Sequence, residues 1–362
     1  MTGRKGLSRR DALALLGGAA ASAFTASAGA AETPRLLLGD GHLLLALALV
    51  HPDPVSLLAG WQGDLALHSP QILDIYAERF PALRDVPRVG RASADTFSAE
   101  LAIASGAELA IVGGCYGPGP QSTALIDRLQ GAGMKVVFVD FFRDPLKNTA
   151  DSMRRIGAVL GGDAVRKAED FASFHEGRLR RISERLKTVG HRPSVMLQSM
   201  AGATGWTCCW VTGSAGLGRF VEFAGGTNIG AGLLRDLPWV QASKEYVLSH
   251  PIDLFVATGG PHLRGKAGLV AGPGVGDEEA RATLKQAVAA SGVAEIQAIQ
   301  NGRVFGFWHL FHATPINIVA LEALARWIHP DLFADLDPEA TLAEINARFL
   351  AVPLPGRFTI AL

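Results

Sequence analysis

Residues 163–187 read DAVRKAEDFASFHEGRLRRISERLK, and the rest of the chain is organised around them. The run has no proline, and its one glycine, Gly177, stands among strong helix formers, so it predicts one long helix. At about 1.5 Å per residue this helix would span roughly 37 Å, the width of a domain. We therefore expect a rigid helix between two lobes, with an ordinary surface helix within one large sheet as the alternative. Eight apolar residues recur at helical spacing and should form its buried stripe: Ala164, Val165, Ala168, Phe171, Phe174, Leu179, Ile182 and Leu186.

Strand and helix patterns alternate on both sides of this helix. Such alternation is typical of α/β architecture with mostly parallel sheets. We expect two Rossmann-like lobes with a ligand cleft between them: an N-terminal lobe over residues 32–162, a connecting helix over 163–188, and a C-terminal lobe over 189–362 that includes the C-terminal helices. Strands are expected at residues 35–38, 55–58, 87–90, 109–112, 135–139, 194–197, 254–257 and 303–307, and a long loop at 198–216.

The N-terminus has the pattern of an export signal. Arg9 and Arg10 precede an apolar run over residues 12–28 that ends in small residues, which indicates the twin-arginine route and cleavage near residues 28–31. A hydrophobic N-terminal helix of the mature fold is the alternative. Zero net charge excludes a global attraction to nucleic acid or acidic membranes, and no later run of about 20 apolar residues could span a bilayer. We expect a soluble, periplasmic monomer.

Cysteine is sparse, with three occurrences at Cys115, Cys208 and Cys209. An oxidising compartment would permit a disulfide, although three cysteines are not the framework of a disulfide scaffold. Because adjacent cysteines rarely pair, any bridge is expected to join Cys115 to Cys208 or to Cys209; otherwise we expect none.

An internal repeat supports the two-lobe interpretation. Residues 100–114, ELAIASGAELAIVGG, align without gaps with residues 245–259, EYVLSHPIDLFVATG, and each copy predicts a short helix, a turn and a strand that ends in glycine. Ligands of α/β sheets bind beyond the carboxyl ends of the strands, so both glycine loops should face one crevice. Coincidental similarity between two helix–strand units is the alternative.

This repeat, on both sides of one long helix, resembles the helical-backbone (class III) periplasmic binding proteins of ABC importers for iron-siderophores, cobalamin and haem. The resemblance covers about residues 34–330 and is strongest in the second lobe. Residues 224–229, AGGTNI, are similar to the family's AGG-x-N-I segment, and residues 239–245, WVQASKE, to its W-x-x-x-S-x-E segment. The resemblance implies a protein without catalytic activity or resident cofactor that carries a metal chelate, most simply an Fe(III)-siderophore complex.

The resemblance also implies a partner, the ABC permease and ATPase complex of the inner membrane. In such proteins one glutamate of each lobe docks on arginines of the permease, and the matching positions are Glu100 and Glu245. A glutamate at a helix start also interacts favourably with the helix dipole, so capping is the other interpretation of both residues. The first copy departs from the family pattern at Gly106, Ala107 and Glu108, where proline and aspartate are usual.

Residues on the loops after strands are the candidates for ligand binding. Aromatic side chains would give flat apolar walls, and arginines would give forked donors for the oxygens of an anionic chelate. The family comparison singles out Trp210 and Trp239 as cleft aromatics, whereas any other single Trp or His is more often a packed boundary residue. The expected ligand-binding residues are Trp210, Trp239, Arg91, Trp61, Tyr116, Arg143, His262, Arg264 and Trp308, and further candidates are Asp40, His42, Trp206, His309 and His312.

Four alternatives to a siderophore remain: a bare metal, haem, cobalamin and a hydrolase. A bare metal would need Asp40, His262, His309 and His312 to converge, without any tight H-x-x-x-H motif. Haem could take Tyr116 or His262 as an axial ligand, and cobalamin would use the cleft aromatics. A hydrolase with Cys115 as nucleophile is indicated by Gly-Gly-Cys-Tyr-Gly after a strand, but the Pro-Gly-Pro that follows opposes the helix which such an elbow must enter.

Overall fold

The computed structural model describes residues 33–206 and 208–362. The predicted export signal and its cleavage region lie outside the described residues. Within these residues no helix combines the length and the apolar character needed to cross a membrane.

The N-terminal lobe is built on a five-stranded sheet in which all neighbours are parallel, in the order β3-β2-β1-β4-β5. Its strands are β1 (Leu36–Leu38), β2 (Leu58–Gln62), β3 (Arg88–Gly90), β4 (Leu109–Val112) and β5 (Lys135–Phe138). Its helices are α1 (Leu43–Ala48), α2 (Asp64–His68), α3 (Pro70–Arg79), α4 (Ala99–Ala104), α5 (Thr123–Gly131) and α6 (Pro145–Leu160). This sheet confirms the βα alternation that the sequence predicts, because each parallel strand returns through a helix or loop crossover.

The long helix α7 (Asp163–Leu186) follows, and after it a second sheet begins. The order of that sheet is β14-β12-β10-β6-β7-β9, with β8 beside β6, and its central pairs are parallel. The strands are β6 (Ser194–Gln198), β7 (Trp210–Thr212), β8 (Thr227–Asn228), β9 (Trp239–Gln241), β10 (Leu254–Gly259), β12 (Val304–Trp308) and β14 (Thr359–Ala361), while β11 (Gly272–Pro273) and β13 (Gly356–Arg357) form a separate pair. The helices are α8 (Leu217–Phe223), α9 (Lys244–Ser249), α10 (Asp277–Ala290), α11 (Gln297–Gln300), α12 (Ile318–Ile328) and α13 (Pro338–Arg348).

Two sheets on either side of one long helix confirm the predicted fold class and exclude a single large sheet. The predicted loop at 198–216 is wrong in part, because it contains β7, which pairs with both β6 and β9 through antiparallel ladders. The predicted strand at 55–58 is also shifted, since β2 runs on through Gly60 and Trp61. Glycine normally weakens a strand, but Gly60 pairs with Leu37 of β1 here, so the sheet overrides the local preference.

Helix α7 is bound to both lobes. On the N-terminal side, Arg154 of α6 contacts Glu169 at 2.7 Å and Glu176 at 2.6 Å. On the C-terminal side, Arg178 contacts the buried carboxylate of Glu322 in α12 at 2.7 Å and Glu344 in α13 at 2.5 Å. The guanidinium of Arg178 is mostly buried, so this second set is screened less by salt than a surface pair would be.

The buried stripe of α7 differs from the prediction at three residues. Val165, which the periodicity assigns to the stripe, is 51% exposed, whereas Ala172 and His175 are buried. His175 Nε2 donates to Asn317 Oδ1 at 2.9 Å, and Asn317 Nδ2 donates to Thr149 Oγ1 of α6 at 2.9 Å. A histidine can lie in the buried stripe because these hydrogen bonds give one of its ring nitrogens a partner inside the protein.

Two glycines on α6 and α7 should respond in opposite ways to the same substitution. A Cβ atom on Gly157 would lie 2.5 Å from the Cβ of Ala168, whereas one on Gly177 would meet nothing within 4 Å. We expect Gly157→Ala to lower the free energy of unfolding by about 1–3 kcal/mol through overpacking, and Gly177→Ala to raise it by about 0.5–1 kcal/mol through helix propensity. Urea denaturation measures both, and stabilisation by Gly157→Ala would contradict the close helix contact.

The disulfide expectation is wrong. Cys208 is bonded to its neighbour Cys209, and Cys115 is the free thiol. Cys115 lies in the N-terminal lobe against His312, while the other two residues stand together just before β7. Adjacent cysteines rarely pair, but Cys208 and Cys209 do so here. The expected bridge to Cys115 does not form because Cys115 lies in a different part of the molecule.

Candidate functional site

Loops at the carboxyl ends of β1 and β4 are held together by the carboxylate of Asp40. Asp40 Oδ2 accepts from the backbone N–H of Gly113 at 3.1 Å, and Oδ1 accepts from those of Tyr116 and Gly117 at 2.5 and 2.8 Å. Only glycine fits at position 117, because a Cβ atom there would lie 1.7 Å from the carbonyl oxygen of Gly39. The side chain of Asp40 therefore fixes where Tyr116 stands.

A second buried carboxylate orients His42. Asp64, at the start of α2, accepts from the backbone N–H of Gly41 at 2.6 Å and from His42 Nδ1 at 2.5 Å. Since Nδ1 carries the proton that it donates to Asp64, the free lone pair of the ring is on Nε2. His42 is 1% exposed, and its buried Nε2 has no hydrogen-bond partner among the residues that the structure describes.

Five histidines, together with the rings of Tyr116 and Trp239, meet at the carboxyl ends of the two sheets. We call this group the histidine cluster; its histidines are His42, His68, His262, His309 and His312. On the N-terminal lobe, Tyr116 stacks on His68 with ring centroids 4.5 Å apart and lies 5.3 Å from His42. On the C-terminal lobe, His309 lies 5.4 Å from Trp239 and 4.3 Å from His312.

The two lobes touch each other through this cluster. His312 Nε2 lies 3.4 Å from the hydroxyl of Tyr116 and 3.6 Å from the thiol of Cys115. His262 of the C-terminal lobe meets His68 of the N-terminal lobe edge to face, with centroids 5.9 Å apart. The predicted interlobe cleft is therefore lined by imidazole and aromatic rings where the lobes meet.

Burial keeps His68, His262, His309 and His312 uncharged. It lowers the pKa of His68 and of His262 to about 4 and that of His312 to about 3, and it holds the pKa of His309 well below its usual value. Burial also raises the pKa of Asp40 to about 6, with help from the neighbouring charge of Asp64. At neutral pH these four histidines therefore present neutral nitrogen donors close to the buried carboxyl group of Asp40.

The space inside the cluster is small. A cavity of about 10 Å³ is lined by Asp40, His42, Cys115, Tyr116 and Phe142, among others. That volume is about the room that one water molecule or one ion needs. Across residues 33–206 and 208–362, no group of three His, Cys, Asp or Glu side chains is arranged to hold a metal ion.

Comparison with protein-family models gives no match, and neither does comparison with curated protein sequences. Solved structures do match. The TroA-like periplasmic binding protein FepB from Veillonella parvula is 20% identical, with a TM-score of 0.78 over 92% of this chain and 96% of that one. The chain has the fold of a TroA-like periplasmic binding protein. The similarity lies in the three-dimensional structure rather than in the sequence. Only 20% of the residues are identical, although 96% of that chain is covered.

Other proteins with the TroA-like fold differ in what their descriptions say they hold. A periplasmic haem-binding protein from Pseudomonas aeruginosa is 19% identical, with a TM-score of 0.56 over 82% of this chain and 94% of that one. The Helicobacter pylori protein CeuE, described in a nickel–histidine complex, is 13% identical, with a TM-score of 0.60 over 89% and 91%. The TroA-like fold therefore does not identify the ligand, which depends on the side chains of the site.

Within this TroA-like fold, the residues expected to bind ligand fall into three groups. Tyr116, Trp239 and His262 belong to the histidine cluster, as do the further candidates His42, His309 and His312, with Asp40 beside them. Trp61 and Trp308 are almost wholly buried at the ends of β2 and β12, so the expectation that they stand on loops is wrong. The remaining residues make other contacts. Arg91 is exposed, and Arg143 donates to the backbone carbonyl oxygen of Asp236. Arg264 forms an ion pair with Glu279, and Trp210 packs against Trp206. Contact of any of them with ligand stays a prediction.

The sequence reasoning missed three members of the site: His68, Asp64 and Cys115 as a polar group of the cleft. His68 ends α2, a short helix directly after β2, and the signal for it was present, since residues after a strand of a parallel sheet reach the binding edge. The shifted assignment of β2 hid that signal. No sequence pattern marks Asp64, because its role depends on a hydrogen bond to His42 that periodicity does not report.

Proposed function

We propose that the chain is the exported substrate-binding component of an ABC importer, and that it captures a metal complex between its lobes and delivers it to an inner-membrane permease. The observation that carries this proposal is the histidine cluster, to which both lobes contribute. Imidazole, phenol and thiol groups are metal-binding side chains, and a ligand held by both lobes would stabilise their contact. The TroA-like fold supports the periplasmic carrier role.

Two complexes are the first candidates. A ferric siderophore is the expectation from the sequence, with Trp239 as an aromatic wall. Haem is favoured by a specific observation, since Tyr116 and His312 are potential iron ligands and stand on opposite lobes. The three arginines expected to bind an anionic chelate, Arg91, Arg143 and Arg264, contribute no contact to the histidine cluster in the described part of the chain.

A Cys115 hydrolase is opposed by the chemistry of the thiol. Burial raises the pKa of Cys115 well above its usual value, and the nearby carboxylates of Asp40 and Asp64 act in the same direction. A protonated thiol is a poor nucleophile, even with His312 at 3.6 Å. The next helix, α5, begins only at Thr123, so the strand-to-helix elbow of such enzymes is missing here.

Tryptophan fluorescence tests the proposal. Purified protein is titrated with ferric hydroxamate, catecholate and citrate complexes, haem and cobalamin, and at least one should quench its emission. Trp239→Ala should weaken binding of that complex by about 30-fold, the effect of losing a central aromatic contact of about 2 kcal/mol. Val165→Ala is the control because this side chain is exposed on α7 and is not a candidate for ligand binding. No response to any complex would contradict the proposal.

A further inference from the structure

A second cavity lies at the opposite end of the C-terminal sheet from the histidine cluster. Strand β12 starts beside this cavity, directly after Arg303, and ends directly before His309 of the cluster. Its five residues span roughly 16 Å, so the two places are separate. The cavity has a volume of about 360 Å³, which is within the range of small-molecule sites. We call it the arginine pocket, after three arginines that line it: Arg303, Arg326 and Arg357.

Two of these half-buried arginines have no carboxylate partner. Arg303 Nη2 donates to the backbone carbonyl oxygen of Trp327 at 2.7 Å, and Arg326 Nη1 donates to that of Leu336. Among the ion pairs of residues 33–206 and 208–362, neither arginine contacts an aspartate or a glutamate. Because a guanidinium group has five N–H donors, each arginine keeps several that can bind a ligand.

The third arginine shares its carboxylate partner with a fourth. Arg357 Nε lies 3.2 Å from Asp277 Oδ1, and the same carboxylate pairs with Arg281 at 2.8 Å. One negative charge therefore faces two guanidinium groups. Part of the positive charge at Arg357 is left uncompensated.

Two carboxylates also line the pocket, and both accept from neutral donors. Asp337 Oδ1 accepts from the backbone N–H groups of Glu339 and Ala340 at 3.1 and 3.2 Å, as the N-cap of α13. Glu339 Oε1 accepts from the backbone N–H and the hydroxyl group of Thr359 at 2.9 and 2.6 Å. With three arginines and these two acids, the lining carries one net positive charge, which a single monovalent anion would balance.

An aromatic pair forms part of the same lining. Phe305 and Trp327 stack with ring centroids 4.8 Å apart and an angle of 15° between their planes. The guanidinium of Arg303 lies 5.5 Å from the ring centroid of Phe305. Flat apolar groups pack well against such rings, and guanidinium groups match the two oxygens of a carboxylate. The pocket therefore combines the recognition elements for a flat ring and for an anionic group.

We propose that the arginine pocket binds a small aromatic carboxylate, with its anionic group held by the lining arginines and its ring against Phe305 and Trp327. The proposal does not depend on the importer function. It adds a second ligand site, on the C-terminal lobe alone, to the site between the lobes.

Titration of the purified protein with 4-fluorobenzoate, followed by fluorine NMR, tests the proposal. We expect saturable binding. 4-Fluorobenzyl alcohol keeps the ring but lacks the charge, so it should bind at least about 10-fold more weakly, the effect of losing a hydrogen bond between charged groups. No saturable change of the fluorine signal with 4-fluorobenzoate, or equal affinity for the two probes, would overturn the proposal.

Variants of the lining locate the bound probe. Arg303→Gln/Arg326→Gln should weaken binding of 4-fluorobenzoate by about 100-fold, whereas Arg166→Gln, at an exposed position on α7, should leave it unchanged. Ala361→Phe adds a large side chain to the lining without removing a charge, and it should also block binding. Wild-type affinity in both pocket variants would overturn the proposal.

Trp239→Ala separates the arginine pocket from the interlobe cleft. This variant should bind 4-fluorobenzoate with wild-type affinity. Loss of that binding in Trp239→Ala, with normal binding by Arg303→Gln/Arg326→Gln, would assign the probe to the cleft and overturn the proposal. Failure of every metal complex to quench the wild-type fluorescence would remove the importer proposal alone.

Discussion

Cells that depend on the Glu100→Ala/Glu245→Ala variant should import the cargo at close to background rate, while the purified variant binds it with wild-type affinity. One glutamate stands in the first turn of α4 and the other in the first turn of α9, so the pair presents one carboxylate on each lobe. Both side chains are exposed to solvent. If each makes a charge-assisted contact of about 1.5–3 kcal/mol with a permease arginine, losing both weakens docking by at least about 100-fold.

The two glutamates should contribute unequally. Glu100 already pairs with Arg128 at 2.8 Å, and this hydrogen bond lowers its pKa to about 2. The pKa of Glu245 is lowered by the backbone N–H at its own helix start and by Ser243. Arg128 competes with a permease arginine for Glu100 alone, so Glu245→Ala should reduce uptake more than Glu100→Ala.

A matched control separates docking from a general loss of surface charge. Glu78→Ala/Glu278→Ala removes one exposed glutamate from a helix of each lobe and should leave uptake unchanged. Radiolabelled cargo uptake in cells measures transport, and fluorescence titration measures binding. Normal uptake by the Glu100→Ala/Glu245→Ala variant would assign both residues to helix capping instead.

Acid should destabilise the protein through His175. Burial lowers the pKa of this histidine to about 4 from an ordinary value of 6.5, and its Nδ1 has no hydrogen-bond partner. Below pH 6.5 the unfolded chain binds a proton here that the folded chain does not take up until about pH 4. Stability due to His175 is thus fully present above pH 6.5 and is lost as pH falls toward 4, by about 3 kcal/mol.

Urea denaturation at a series of pH values measures this loss. His175→Gln keeps a side-chain donor for Asn317 but removes the titrating ring, so its stability should fall less between pH 6.5 and 4 than that of the wild type. His191→Gln, at an exposed position, should follow the wild-type curve. Identical curves for His175→Gln and wild type would show that the buried ring contributes nothing to acid sensitivity.

Much of the fold could be predicted because its signals are local. Helix α6 carries such signals at both ends, since Pro145 starts it and Gly161 ends it with a φ of 70°. Helix α7 was likewise expected from an uninterrupted run of helix formers. Where the prediction failed, at β2 and β7, neighbouring strands decided the outcome, and periodicity does not report which strands will be neighbours.

The site could be predicted only residue by residue. Placing side chains after strands gave Tyr116, Trp239 and His262, but whether they meet depends on how the lobes close. The pairing of His42 with Asp64 joins residues 22 apart, and that of Cys115 with His312 joins residues 197 apart. Each distance is set by the packing of whole elements, so the sequence alone leaves both contacts unspecified.

The carboxylate of Asp40 has a kinetic consequence. By accepting hydrogen bonds from three backbone amides of the loop after β4, it holds that loop and the loop after β1 together as one wall of the cleft, through contacts within the protein alone. Such preorganisation reduces the conformational entropy that binding would otherwise remove. Capture should therefore be limited by diffusion and lobe contact rather than by loop ordering, and differences in affinity among cargoes should reside in how slowly each one leaves.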